Sequence, residues 1–435
     1  MATFVAIVIL NVFTLKSWGH SYELPKSEIF EIQEFNTHLK FLQNSDTFAS
    51  TRVFDTGLQQ YIFGLENEDV HLNVSQLITK YGHGLEEHEV KTKDGYILRL
   101  IRIPNKGPVV FLMHGLLMSA DDWVLAGPES GIAYLLAKQG YDVWMGNARG
   151  NKHSRRHEKM LPSSVEFWNF SFDEIGRYDL PAMIDYVLDK TNRTKLTYVG
   201  HSQGTTAFLV MCSEMPEYND KISLMAGLSL VGAIPKMKSP VLNLLKFITL
   251  FHPELLFGLV KEMGIHEFLP SRDLVNNFAP NICGRAHLAK IVCSNVVFLL
   301  CGFNALQLNI TNLPVIFSHV PAGASTKQLE HYSQSVISGK FARFDYGEFK
   351  NFEVYGSKSP PEYQVEKVSV PVAIFYADND WLAAPEDVDA LRKRLKTVVE
   401  YYKVPHLFFN HVDFLYARDV KHLVFTKLLQ VIQRY

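Results

Sequence analysis

Near the middle of the chain a short apolar run, Leu196-Thr197-Tyr198-Val199, leads directly into Gly200-His201-Ser202-Gln203-Gly204, which leads in turn into the apolar run Ala207 to Cys212. A serine between two glycines, with a strand before it and a helix after it, has the form of a strained turn that lifts a hydroxyl off the edge of a sheet. Such a serine can attack a carbonyl, provided that a base takes its proton and donors receive the developing negative charge. Ser202 would also lie at a helix N-terminus, whose dipole favours that charge. The five-residue pattern is common by itself, and the strand-turn-helix setting is what makes it informative.

Where a nucleophile stands on such an elbow, its partners come later in the chain in the order acid, then histidine. Asp380, in Ala377-Asp378-Asn379-Asp380-Trp381, lies just past the apolar run Pro371 to Tyr376, and His411, in Phe409-Asn410-His411-Val412-Asp413, lies just past the next one. The expected roles are His411 as general base and then acid, with Asp380 fixing its tautomer and stabilising the imidazolium. Asp378 competes for the acid's role and His406 for the base's. His201 adjoins the nucleophile, but on an elbow it would point away from it. One oxyanion donor is expected from the N–H of Gln203, and the other from the loop His114-Gly115-Leu116-Leu117 after an earlier strand. Leu116 is the choice there, since Gly115 lets the loop come close to the reacting carbon.

These residues need a scaffold of strand ends on one edge. Short apolar runs bounded by Gly, Asn or Asp and separated by helical stretches predict strands at Pro108–Met113, Tyr141–Met145, Leu196–Val199, Gly227–Val231, Pro371–Tyr376 and Glu400–Lys403. Continuous apolar strands alternating with helices imply a mostly parallel α/β sheet covered on both faces. Ahead of it, Glu89 to Ile103 reads as a β-hairpin turning at Lys93-Asp94-Gly95. A helix should begin at the capping box Ser171-Phe172-Asp173-Glu174 and be kinked by Pro181. The alternation breaks over residues 235–362. An insertion of that length reads as a mainly helical cap or lid over the edge where open α/β sheets bind ligands. Within it Leu242 to Val260 is apolar but interrupted by Lys246, His252 and Pro253, which suits an amphipathic helical pair rather than a membrane span.

The divisions along the chain are therefore a signal peptide over residues 1–21, an N-terminal extension over 22–66 with a removable pro-segment as one reading, core over 67–234, cap over 235–362 and core again over 363–435. The signal rests on the apolar run from Phe4 to Leu10, extended past Asn11 by Val12 to Leu15, too short for a transmembrane segment and succeeded by Ser17-Trp18-Gly19. Four sequons, at Asn73, Asn169, Asn192 and Asn309, fit a secretory route. Hydrophobic residues at 47% and charged residues at 20% allow a substantial core, and a net charge of −2 makes no electrostatic case for nucleic acid. The basic stretch Arg149 to His157 is better read as a solvated loop, or as a loop whose arginines pair with internal carboxylates, than as a polyanion site. Of four cysteines, Cys212 should be a buried inert thiol, while a bridge among Cys283, Cys293 and Cys301 is open in an oxidising compartment. No spacing of Cys and His suggests a metal, no glycine-rich phosphate loop suggests a nucleotide or redox cofactor, and no protein partner can be inferred.

Taken in order, a set of segments resembles the acid lipases, the α/β-hydrolase family that includes gastric and lysosomal acid lipase and insect relatives. They are Ile78-Thr79-Lys80-Tyr81-Gly82, Asp94 to Leu98, His114-Gly115-Leu116, Asn147 to Asn151, Ser154 to His157, Phe172-Asp173-Glu174, Tyr178 to Pro181, Gly200 to Gly204, Pro321-Ala322-Gly323, Asp380 to Ala383 and Asn410 to Phe414. The resemblance runs from about residue 67 to the C-terminus. It implies Ser202, Asp380 and His411 as the triad, Leu116 and Gln203 as oxyanion donors, and a cap disulfide between Cys283 and Cys293 that leaves Cys301 free. It further implies a lipase or carboxylic ester hydrolase that cleaves triacylglycerols or sterol esters at a lipid interface, secreted or alternatively lysosomal. Two departures stand out: His153 replaces an aromatic residue, and Tyr376-Ala377-Asp378-Asn379 lacks paired glycines. Asn169 falls inside a family motif, so its sequon is expected to be buried. The competing readings are a catalytically silent lipid carrier on the same fold, which usually loses a triad member, and an esterase of small soluble acyl esters.

Overall fold

A computed structural model describes residues 67–240, 242–243, 246, 264–269, 298–309 and 311–435. The expected signal peptide and extension, most of the apolar stretch 242–260, and both Cys283 and Cys293 lie outside the described residues.

The hairpin forms as its pattern requires. Strands β1 (Glu86–Lys91) and β2 (Tyr96–Ile103) pair antiparallel. The turn is closed by Thr92 N donating to Tyr96 O at 2.8 Å, and Gly95 takes the φ of 97° that side-chain-bearing residues avoid. Next in the chain come β3 (Val109–Met113), β4 (Asp142–Gly146), the two-residue β5 (Arg156–His157), β6 (Leu196–His201) and β7 (Ile222–Leu228). A two-stranded ribbon, β8 (Glu267–Phe268) with β9 (Ala324–Ser325), precedes β10 (Val372–Tyr376) and β11 (Val398–Lys403).

The large sheet runs β1-β2-β4-β3-β6-β7-β10-β11, with β5 against β2. Every pairing from β4 to β11 is parallel. Such a sheet must be covered on both faces, and the period of two shows how. Val109, Phe111 and Met113 of β3 enter one core, while Val110 and Leu112 enter the other. Helices α2 (Leu180–Thr191), α3 (Gln203–Glu214) and α5 (Pro385–Arg394) pack on the first face, and α1 (Ile132–Lys138) and α6 (Thr426–Ile432) on the second. Helix α4 (Thr326–Ser338) belongs to the stretch expected as cap.

One expectation needs correction. The fourth core strand is Ile222–Leu228, not Gly227–Val231: it ends where Ser229 turns to a φ of 58°, so the apolar Leu230 and Val231 belong to the loop beyond it. The Ser171 capping box forms, with Ser171 N donating to Glu174 Oε2 at 2.6 Å. The chain continues through a π-helical stretch, Ile175–Asp179, into α2 with no break in the helical backbone, and Pro181 follows that distortion directly as the second residue of α2. Pro181 lacks the N–H that a regular helix would bond four residues back, and the π-helical stretch just before it takes up that irregularity.

Candidate active site

The elbow at the end of β6 is shaped by steric exclusion. Ser202 holds φ 52° and ψ −120°, a conformation a non-glycine residue takes only when its surroundings enforce it. The enforcing contact is a close crossing: a Cβ on Gly204 would stand 2.3 Å from the carbonyl oxygen of Met113 at the end of β3. Since β3 and β6 pair with Met113 opposite Gly200, the loop leaving β3 and the turn leaving β6 emerge side by side. Gln203 opens α3, so its N–H is one of the four that a helix leaves without internal partners.

The loop that carries Leu116 is held from behind by His114. Its Nε2 accepts from Ala148 N at 3.0 Å and Asn151 Nδ2 at 3.1 Å, which leaves the proton on Nδ1 to be donated to Gly115 O at 2.8 Å. Burial pushes His114 down to about 4, so the ring stays neutral in this role. Gly115 is needed because a Cβ there would come within 3.1 Å of Ser202 Cβ and His201 Nδ1.

At the other side of Ser202, Oγ and His411 Nε2 are 2.8 Å apart. His411 Nδ1 lies 3.0 and 3.1 Å from the two Asp380 oxygens. Asp380 Oδ1 also accepts the N–H groups of Leu382 at 3.0 Å and Ala383 at 2.8 Å. Burial alone would raise the Asp380 carboxyl, but His411, Ser229 and the Ala383 N–H outweigh it and hold it below the usual carboxylate value. The carboxylate is ionised and the imidazole proton is directed to it, leaving Nε2 free to accept from the serine.

The competitors stand elsewhere. Asp378 is exposed and pairs with Lys403 at 3.0 Å. His406 packs beside Phe409 and makes no contact with this chain of hydrogen bonds. His201 turns away from Ser202, its Nε2 donating to His411 O at 3.0 Å, and burial pushes it down to about 3, so it braces the His411 loop as a neutral ring.

Two groups at the site carry no mark in the local sequence. Ser229, an ordinary serine in an apolar run, places Oγ 2.6 Å from Asp380 Oδ2 and 2.8 Å from His411 Nδ1. Gln328 of α4 donates to Gln203 Oε1 at 3.2 Å, tying the stretch expected as cap to the residue after the nucleophile. No spacing or motif singles out either one.

The basic stretch behaves as expected. Arg149 is buried between Asp179 and Asp94, at 2.7 and 2.6 Å, with its guanidinium 4.0 Å from the Tyr96 ring. His153, in place of an aromatic residue, meets Asp121 at 2.6 Å. Cys212 and Cys301 are buried free thiols. Of the sequon expected to be buried, Phe170 and Ser171 are enclosed, but Asn169 itself is exposed with its Oδ1 accepting from Lys327 at 3.0 Å.

Known proteins share this arrangement of segments. Residues 74–127 match the family described as a partial α/β-hydrolase lipase region, and residues 108–255 match the α/β hydrolase fold. The chain is 42% identical over 366 residues to Lipase 1 of Drosophila melanogaster, spanning 84% of this chain and 80% of that protein. It is 41% identical over 374 residues to human gastric triacylglycerol lipase, spanning 84% and 92% of the two chains. The chain belongs to the acid lipase family. Another member, the lysosomal acid lipase/cholesteryl ester hydrolase of Macaca fascicularis, is 38% identical over 85% of this chain and 92% of its own. A crystal structure of a Sulfolobus solfataricus protein assigned as a lipase covers 80% of this chain and 94% of its own with a TM-score of 0.55 at 11% identity, which shows the α/β-hydrolase fold alone. Acid lipase membership makes this protein a carboxylic ester hydrolase. Among the described residues no helix is long and apolar enough to cross a membrane.

Proposed function

We propose that this acid lipase cleaves water-insoluble lipid esters, triacylglycerols or sterol esters, through an acyl-enzyme on Ser202. The carrying observation is the unbroken path Ser202 Oγ, His411 Nε2, His411 Nδ1, Asp380, with 2.8 and 3.0 Å between partners. As Ser202 attacks the ester carbonyl, His411 takes its proton and Asp380 stabilises the imidazolium. The tetrahedral oxygen receives the N–H groups of Leu116 and Gln203, each worth about 3 kcal/mol in the barrier. His411 then protonates the departing alcohol, and a water activated by the same ring releases the fatty acid.

The stretch 235–362 serves as the cap, and its Gln328 contact with Gln203 supports that reading. Relatives named as gastric and lysosomal enzymes support a secreted or lysosomal protein, with the sequons at Asn73, Asn169, Asn192 and Asn309 as glycan acceptors and Cys283–Cys293 as the cap disulfide.

The test measures fatty-acid release from emulsified trioleoylglycerol and cholesteryl oleate between about pH 4 and about pH 8 by the wild type and Ser202→Ala. Release by the wild type alone is expected, and the ratio of the two rates identifies the preferred ester. Turnover of short soluble esters only would replace the lipid substrate with a small one. A folded wild type inactive on every ester would leave a carrier.

A further inference from the structure

The carboxylate end of the site holds a fourth polar side chain that the three-residue mechanism does not use. Ser229 comes directly after β7, with φ 58°, and its own N–H is tied to Phe375 O of β10 at 2.9 Å. It is fully buried. Its hydroxyl reaches Asp380 Oδ2 at 2.6 Å and His411 Nδ1 at 2.8 Å, so it spans both members of the acid–base pair. An ionised carboxylate can only accept, which sets the direction: Ser229 donates to Asp380 and turns a lone pair to the His411 N–H.

We propose that Ser229 is a positioning residue for the reaction, holding the Asp380 carboxylate in the plane that His411 Nδ1 needs and drawing part of its charge away from the imidazole. The inference rests on the reading of Ser202, Asp380 and His411 as the triad. The division of labour across the carboxylate supports it. Oδ1 is fixed by the backbone N–H groups of Leu382 and Ala383, whereas Ser229 is the partner that Oδ2 has besides His411 among the described residues. Without the hydroxyl the carboxylate would be anchored at one oxygen and able to rotate about it. The positive φ points the same way. A side chain is carried at a position where glycine would be less strained, so the hydroxyl is retained against a backbone cost.

A second consequence is electrostatic. The hydroxyl donates to the carboxylate and accepts from the imidazole N–H, so it touches the charge of both members of the pair at once. The other ionisable groups facing His411 leave Ser229 as the tuning contact on Oδ2. His201, 5.0 Å away ring to ring from β6, is held neutral by burial. Asp413 on its own loop is pushed up to about 7 by burial and is tied to Asn410 N and Asn304. The Cys301 thiol, whose backbone oxygen accepts from His411 N at 3.4 Å, is pushed up by burial and stays protonated.

The experiment compares wild type, Ser229→Ala and Ser229→Gly, with Ser202→Ala as control, by kcat and KM on a short soluble ester, alongside thermal melting. Both lose the hydroxyl's contacts, but alanine keeps the strained φ and glycine relieves it, so Ser229→Gly should melt higher than Ser229→Ala. Both should nevertheless lose about ten-fold in kcat with KM within about two-fold. A kcat that tracks melting temperature instead, or a KM that moves as much as kcat in both folded variants, would overturn the role of Ser229 while leaving the triad intact. Full activity in Ser202→Ala would overturn the triad itself, and with it this inference.

Discussion

The two ends of the site are built on different physics. The elbow occupies five consecutive residues, and its shape is set by contact: Gly204 lies against the Met113 carbonyl, and Ser202 keeps a φ of 52° because the strand and helix on either side leave it no alternative. The acid–base end is assembled from three strand ends, with Asp380 151 residues from Ser229 and 31 from His411, and it is held by charge and hydrogen bonds. A site can thus be rigid in two ways. One end tolerates no added atom, and the other tolerates no lost charge.

Replacing the charge should have the largest effect. Asp380→Asn leaves the shape but removes the acceptor that fixes the His411 tautomer, and kcat should fall by about a thousand- to ten-thousand-fold with folding retained. Activity and melting measured together check this; a fall below about ten-fold would mean that the carboxylate does not act on His411.

Adding one carbon at the other end should act on stability first. Gly204→Ala forces a Cβ toward the Met113 carbonyl and should cost about 3 kcal/mol or more, read as a lower denaturation midpoint or as insoluble protein. Wild-type stability in this variant would mean that the β3–β6 crossing yields easily.

A smaller effect separates the ends by pH. At the elbow, burial depresses His114 to about 4 and His201 to about 3, below the unfolded value of about 6.5. Their stability is present above about 6.5 and is lost as pH falls toward about 4. At the other end, burial raises Asp413 to about 7, so the folded state holds a proton that the unfolded state releases from about 4 upward. That contribution is lost as pH rises from about 4 to about 7. Melting curves across this range should show His114→Asn flattening the acid-side loss and Asp413→Asn flattening the neutral-side loss, each by about 5 °C. Parallel curves for wild type and variants would refute the assignment.

The smallest effect belongs to Asp378→Asn. Its carboxylate is exposed against Lys403, so activity should stay within about two-fold and stability within about 0.5 kcal/mol. A large loss of activity would reopen the choice between the two aspartates.

Much of this was legible in the residues. Gly200 to Gly204 carries its own constraint, because glycine on both sides of a serine between an apolar strand and a helix leaves few conformations. Asp380 and His411 could be selected because a parallel sheet places successive strand ends on one edge, and the apolar runs before them mark those strands. The capping box at Ser171 and the turn at Gly95 are also local, and both formed. The misplaced strand shows the limit: Leu230 and Val231 are as apolar as Met225 and Ala226, and only the turn at Ser229 separates them.

What the sequence by itself determined is therefore whatever depends on neighbours in the chain: the elbow, the caps, the alternation that makes a doubly covered sheet. Tertiary structure alone decided that His201 braces the His411 backbone instead of its ring, that Asn169 is exposed, and that Ser229 reaches both Asp380 and His411. The reason is that a hydrogen bond depends on a few tenths of an ångström and a direction, and across 151 residues those are set by how strands register and helices pack, which no pattern of residue types encodes locally.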